Sequence, residues 1–554
     1  MISHVRIQNL RSLVDTGFVE IKPLTILLGS NSSGKSTFLR SFPLFKQSVS
    51  KPLREPISWF DDSLVDFGDF ETARSRHAKE DDGIKFSFRV ASPIYGIEKR
   101  YAFYYRYGRT DFQDEMPSES TIELSIKKSK RGITYVDSVC ITTGEFSVRF
   151  HVDDFDSDLN IYCDEICLQT NGTKWYYSGN NAIIPSIGND DMFYSNDTLS
   201  EGLVDTMCSL LRSKCSSGYH GDSVRELAIG WKYDKSAYLK FLKTSTRMKV
   251  FKRNIANWTV ESVEFLRLYK IGAALAVSRW LQYYDMEIKR YYMGCSYVAP
   301  MRAAANRYYR TQGLQVRDVD PYGKNLQDFI LSLSKSKKAS YDDFMMKVFG
   351  LKVVVQNRGG HQSIYLQKGD NKSNLTDVGF GYSQILPIVT KLWYATIKDK
   401  FREKGSQLSY NRDLILMEQP ELHLHPGMQA RTADIMMLAL NEMKDRDELA
   451  KEKLKEELMM GFVSYDDMVW TPQLIVETHS QAMINRIGRR IRDKQFSADD
   501  VSILLFEKDD ITGVTSIRKI EYNEKGQLTN WPFGFFEPKE DDYDTLFNRQ
   551  SQNK

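Results

Sequence analysis

The chain opens on an alternating run, MISHVRIQNL, followed by a short and mostly apolar one, Leu24 to Leu28. The first pattern suits a half-buried strand, the second a buried one. Up to about residue 75 the order reads strand, turn, strand, loop, helix, and Pro43 is placed to kink or break that helix. From about residue 83 to 180, KFSFRV, KRYAFYYRY, TIELSIKK and EFSVRFHV alternate apolar and polar positions between Gly, Asp and Asn turns. An antiparallel sheet with one wet face is expected there. From about residue 198 the spacing becomes helical, above all in VESVEFLRLYKIGAALAVSRWLQYYDMEIKR, which holds no proline. After CSYVAPM the α/β character returns. DLILM (413–417), QLIVET (473–478) and VSILLF (501–506) read as strands covered on both faces. NEMKDRDELAKEKLKEELMMG reads as an exposed, charged helix between two of them.

These patterns divide the chain into an N-terminal α/β segment (1–75), a β-rich lobe (76–197), a helical insertion (198–294), a C-terminal α/β segment (295–540) and a polar tail (541–554). No internal repeat interrupts that order.

Composition changes this picture little. Of 554 residues, 41% are hydrophobic and 27% charged, as in ordinary globular proteins. No apolar run approaches the roughly 20 residues of a membrane helix, and the N-terminus lacks a signal-peptide pattern. A cytoplasmic protein with no membrane partner is expected. The net charge of +3 neither demands nor excludes nucleic acid. Basic clusters occur at Lys127–Arg131, at 240–254, at Lys335–Lys338 and at Arg486–Arg492. The second has aromatic residues interleaved, which suits a single-stranded backbone, but solvated helix faces also look like this. The six cysteines form no CxxC pair, so free buried thiols are expected rather than zinc.

The candidate chemistry begins at Gly29-Ser30-Asn31-Ser32-Ser33-Gly34-Lys35-Ser36, with Thr37 next. This fits G-x-x-x-x-G-K-[ST] between a strand and a helix. The glycines let the backbone curl so that successive N–H groups face a phosphate at a helix N-terminus. Lys35 would reach the outer phosphates of ATP, and the Ser36 hydroxyl would ligate Mg²⁺. A second element is the apolar strand ending in Glu418, placed to share that ion with Ser36. Gln419 follows; an amide orients a water but cannot take its proton. Tight ATP binding with slow or conditional turnover is expected, Glu421 substituting as base only if its loop allows. His479, ending the strand QLIVETH, is placed to sense the γ-phosphate. His423 and His425 lack a third ligand and read as loop histidines at a dimer seam. Asp66-Phe67-Gly68 mimics a kinase motif, but no other kinase element accompanies it.

A third element, Leu375 to Gln384, places glycines, a hydroxyl and an amide at the start of the helix-like ILPIVTKLWYATI. One chain with two phosphate-seeking surfaces makes sense if the second faces a neighbour's ATP. Gly381, Ser383 and Gln384 are therefore expected to act in trans, across two lobes that sandwich two nucleotides.

GSNSSGKST, YVAPMR, DVGFGYSQILPI, LMEQPELHLHP, IVETHS and GQLTNWPFGFF together resemble the RecF/OLD-like AAA-family ATPases of prokaryotic defence loci, within the ABC-type clan that includes SMC proteins. The resemblance spans about residues 1–75 and 295–540, and it is nearest to the PtuA family of Septu-type and retron-associated antiphage systems. It implies an ABC-type (RecF/SMC-like) P-loop α/β fold with an antiparallel β lobe and a large helical insertion. It also implies a separate HNH-type nuclease, PtuB, as partner. In retron systems a reverse transcriptase and its RNA-linked single-stranded DNA join them. Gln419 stands where the clan carries a catalytic glutamate. OLD nucleases append a Toprim domain; 75 residues follow His479, too few for one, so this chain is expected not to cut nucleic acid itself. A RecF-type repair ATPase and a transporter ATPase are the rival readings.

Overall fold

The computed structural model describes residues 2–91, 116–169, 173–176, 182–188, 197–216, 221–244, 246–311, 313, 315–397, 401–402, 409–410, 414–459 and 471–532. KRYAFYYRY, the tail from 541, Asp413 and the end of GQLTNWPFGFF lie outside them.

Three apolar runs become the centre of one sheet. Five strands run parallel in the order Cys295–Val298, Leu414–Glu418, Gln473–Glu477, Leu24–Gly29 and Val501–Lys508. Thr515–Tyr522 and Leu528–Thr529 extend the sheet antiparallel. Every residue of the three central strands is buried, as their unbroken hydrophobicity requires. Alternate side chains feed two different cores. Leu27, Leu416 and Ile475 pack in one with Phe38 and Phe42 of the helix Lys35–Val49. Ile26, Met417 and Val476 pack in the other with Ile388 of the helix Phe380–Thr396 and Met436 of the helix Pro426–Met459.

Among the described residues the antiparallel lobe has nine strands. Ile2–Leu10, assigned by sequence to the first α/β segment, pairs with Ile84–Ala91 and so belongs to this lobe. Phe86, Phe88, Ile122, Leu124 and Ile126 are fully buried on one face. Lys85, Arg89, Glu123 and Lys127 lie half-buried on the other, the wet face expected from the alternation.

The helical segment 198–294 is less separate than an insertion suggests. Its helix Val263–Met293 is buried almost throughout. The run Ile271–Val277 is apolar on all sides, and a helix of that kind must be covered all round. It is covered by the lobe and by the helix after the glycine loop: Tyr292 stacks on Phe45 with ring centroids 4.6 Å apart, and Phe45 meets Phe86 at 4.8 Å.

Four further readings change. The helix Lys35–Val49 runs on through Pro43 without a break, its buried Phe42, Leu44 and Phe45 holding it in place. The thiols are all free, but only Cys163, Cys208 and Cys295 are buried, and Cys167 is exposed. A four-stranded antiparallel sheet (Tyr309–Arg310, Lys352–Arg358, His361–Lys368 and Asn371–Asn374) was not legible in its largely polar sequence. Nor was the strand Thr134–Thr142, whose Asp137 and Ser138 interrupt the apolar pattern. Among the described residues no helix is long and apolar enough to cross a membrane.

Candidate nucleotide site

The glycine loop joins the central strand Leu24–Gly29 to the helix Lys35–Val49. Gly29 has φ 149°, and a Cβ there would lie 2.3 Å from the Phe506 carbonyl oxygen. Gly34 has φ 95° and is crowded by Leu13 and Ser12 at 3.0 Å. Both positions therefore exclude a side chain on conformation and on space. Ser30, Asn31 and Ser32 are exposed at the loop's crest, while Ser33 is buried with its hydroxyl unpartnered. Ser36 and Thr37, half-buried, begin the helix. Lys35 is 3% exposed, and its Nζ donates to the carbonyls of Gly29 at 3.0 Å and Ser30 at 2.7 Å. The ammonium thus lies inside the loop. Burial lowers its pKa, with Glu477 and Glu421 opposing.

Three acids stand at the carboxyl edge of the sheet. Glu418 ends its strand with both oxygens engaged. Arg40 donates through Nε at 2.8 Å and Nη2 at 2.7 Å, and the Tyr297 hydroxyl donates at 2.6 Å. This bidentate pairing keeps Arg40 charged. Glu477, which pairs with Glu418 on the neighbouring strand, accepts from the Ser36 hydroxyl at 2.9 Å. Burial, then the Glu418 carboxylate, pushes Glu477 up to about 7. Its second oxygen is buried without a partner. Glu421 accepts from the His479 backbone N–H at 2.6 Å, and burial raises it too.

Gln419 follows Glu418 in a left-handed conformation, φ 42°, held by its N–H on the Glu477 carbonyl at 2.8 Å. The buried Arg302 of YVAPMR reaches the carbonyls of Gln419, Pro420 and Leu422 at 3.4 to 3.5 Å. Burial brings its guanidinium down to about 10. His479 is half-buried, its Nε2 unpartnered and its pKa lowered by burial and by Lys35. A neutral imidazole beside the loop can hydrogen-bond a phosphate without adding charge. His423 and His425 are exposed, as expected of loop histidines.

The structure therefore brings together the loop, Glu418, Gln419 and His479. Two placements add to the sequence reading. Ser36 and Glu418, expected to share an ion, have different hydrogen-bond partners: Ser36 bonds Glu477, and Arg40 with Tyr297 holds Glu418. Of the segment expected to act in trans, Gly381 is half-exposed, but Ser383 and Gln384 are buried. The helix begins at Phe380, one turn earlier, so Ser383 turns back on the Phe380 carbonyl at 2.6 Å. Thr376, Asp377, Gly379 and Phe380 are at the surface, and the Phe380 ring meets His423 at 5.2 Å. Arg40 lies in no motif, and Glu477 and Arg302, though inside IVETHS and YVAPMR, had no role assigned from sequence, because their roles depend on which strands become neighbours.

A family model described as AAA ATPase domain matches residues 1–174 and 302–484, more than half of the chain. The chain belongs to that family. The gap between the matched segments contains the helical insertion. A second model, described as a protein of unknown function, matches residues 496–546. None of the curated proteins matches. Among solved structures, an Smc head bound to the C-winged helix domain of ScpA is 9% identical, with a TM-score of 0.35, covering 94% of this chain and 98% of that one. The SMC head domain from Thermotoga maritima is 8% identical, with a TM-score of 0.31, covering 93% and 98%. The Smc head with a coiled coil and joint from Pyrococcus yayanosii is 9% identical, with a TM-score of 0.31, covering 95% and 98%.

An ATPase family implies a nucleotide and, typically, magnesium, and the residues fit both. The loop's backbone and Lys35 suit phosphates. The Ser36 hydroxyl and the unpartnered Glu477 oxygen form an all-oxygen donor set of the kind magnesium takes. Bound there, the ion would neutralise charge on the outer phosphates.

Proposed function

We propose that the chain is an ATP-binding, slowly or conditionally hydrolysing ATPase of the ABC type, the nucleotide-gated subunit of an antiviral defence complex. ATP closes two lobes on each other, with Gly381 and its neighbours facing the partner's nucleotide. Closure controls a separate HNH-type nuclease, PtuB, in systems that also include a reverse transcriptase and RNA-linked single-stranded DNA. The resemblance of the six motifs to the PtuA family supports the defence role.

The observation that carries the slow-turnover reading is Gln419. It occupies the position after the acidic strand, in a fixed left-handed turn, with an amide in place of a proton acceptor. The nearest carboxylate in that loop, Glu421, is tied to the His479 N–H. Such a protein works as a switch whose ATP-bound state lasts.

A pull-down of the tagged chain from its native operon, in ATP and Mg²⁺, tests the reading. Mass spectrometry and the ultraviolet absorbance ratio identify what comes with it. A co-purifying HNH nuclease, with or without nucleic acid, supports the defence complex. A chain that emerges alone and binds duplex junctions would replace this reading with a RecF-type repair ATPase.

A further inference from the structure

We propose that Glu477, and not Glu418, is the carboxylate that reaches the magnesium of the bound nucleotide. This deepens the ATP-binding reading above and rests on it. Three independent observations converge on Glu477.

The first is reach. The strand Gln473–Glu477 lies between the strand of the glycine loop and the strand of Glu418. Glu477 is in register with Leu27, and Glu418 is in register with Glu477. Glu418 therefore starts two strand spacings, roughly 10 Å, from the loop's strand, and Glu477 only one.

The second is commitment. Both Glu418 oxygens are taken by a bidentate Arg40 and one also by Tyr297, with the acid 2% exposed. Freeing that carboxylate for a metal would strand the Arg40 guanidinium in a half-buried place, and breaking such pairs is costly.

The third is availability. Glu477 Oε1 already receives the Ser36 hydroxyl, so the two oxygen donors meet at 2.9 Å. Oε2 is buried with no partner among the described residues. An unpartnered buried carboxylate oxygen is costly, and an incoming cation supplies what it lacks. The Glu418–Arg40–Tyr297 cluster then acts as a positioning clamp that fixes the helix Lys35–Val49 against the acidic strand.

The test compares a fluorescent ATP analogue binding to the full chain in Mg²⁺ and in EDTA. Wild type, Glu477→Gln and Glu418→Gln are measured, each with a thermal melt to show that it folds. Wild type should bind more tightly in Mg²⁺. Glu477→Gln should lose roughly tenfold or more of that gain and keep its affinity in EDTA. Glu418→Gln should melt earlier yet keep the gain. Manganese electron paramagnetic resonance of the Mn²⁺–ATP complex should change in Glu477→Gln and not in Glu418→Gln. The proposal is overturned if Glu418→Gln loses the magnesium gain as fully as Glu477→Gln, or if Glu477→Gln keeps it. A wild-type chain that binds no analogue in either buffer defeats the ATP-binding reading itself, and this proposal with it.

Discussion

The edge of the parallel sheet and the core beneath the helical segment differ in where their buried polar atoms gather. In the core, Trp231 is fully buried against Tyr269, ring centroids 5.5 Å apart, and its indole N–H donates to the Tyr269 carbonyl at 3.0 Å. Gly272 leaves room for that ring; a Cβ there would lie 2.2 Å from it. At the sheet edge, buried polar atoms lack partners: the Ser33 hydroxyl, one oxygen each of Glu421 and Glu477, and His479 Nε2. Three of the eight non-glycine residues with left-handed backbone among the described residues, Ser32, Gln419 and His423, lie there too. The core is packed for stability, although the Trp280 indole N–H is also without a partner among the described residues. At the edge the unpartnered atoms gather around the glycine loop, and a ligand that brought positive charge and hydrogen bonds would complete them.

Substitutions should separate the two regions. Removing the Trp231 side chain has the largest expected effect: Trp231→Ala should destabilise the chain by about 3–5 kcal/mol in denaturant melts, with nucleotide affinity of the folded fraction unchanged. A loss below about 1 kcal/mol would mean that the core tolerates voids.

Glu477→Gln should act with the opposite sign. In the nucleotide-free protein in EDTA, Glu477 titrates at about 7 instead of its ordinary 4.5. A carboxyl raised on folding favours the folded state at low pH. That advantage is lost as pH climbs from the unfolded value through about 7. At pH 8 the buried charge therefore costs stability, at most about 3 kcal/mol. Glu477→Gln should raise the melting temperature at pH 8 and leave it nearly unchanged at pH 4. A variant less stable at both would contradict the burial argument.

Gln419→Glu should raise ATP turnover, roughly a hundredfold, if proton transfer limits hydrolysis. An unchanged rate would mean that another group activates the water or that chemistry is not limiting. The smallest effect is expected at Ser480, whose hydroxyl caps the helix Gln481–Arg492 through the Met483 N–H at 3.1 Å. Ser480→Ala should cost about 1 kcal/mol, and a neutral melt would show that neither the cap nor the hydroxyl's donation to Gln429 Oε1 at 2.6 Å holds this turn.

The same contrast explains what could be read from the chain alone. Leu24 to Ser36 and Leu414 to Gln419 are contiguous, so their chemistry is spelled out in order. The long helix was legible from spacing, but its burial against Phe45 was not, because that needs a partner 247 residues away (Tyr292 to Phe45). Glu477 appeared in the sequence only as the residue two before His479. Its meeting with Ser36 spans 441 residues and exists because three strands lie in a particular order. The burial of Ser383 and Gln384 was not legible for a local reason: the helix starts at Phe380, before the ILPIVTKLWYATI run from which it was read. Pro43 misled because a helix-breaking tendency of about 3 kcal/mol yields to the packing of Phe42 and Phe45.

The central claim is that the glycine loop holds the phosphates of ATP through Lys35. Isothermal titration of ATP into wild type and Lys35→Ala, in Mg²⁺ and with both proteins shown to be folded, tests it directly. Wild type is expected to bind ATP, Lys35→Ala not measurably, and the proposed dimer to loosen in the variant. Equal affinity in the two proteins would contradict it.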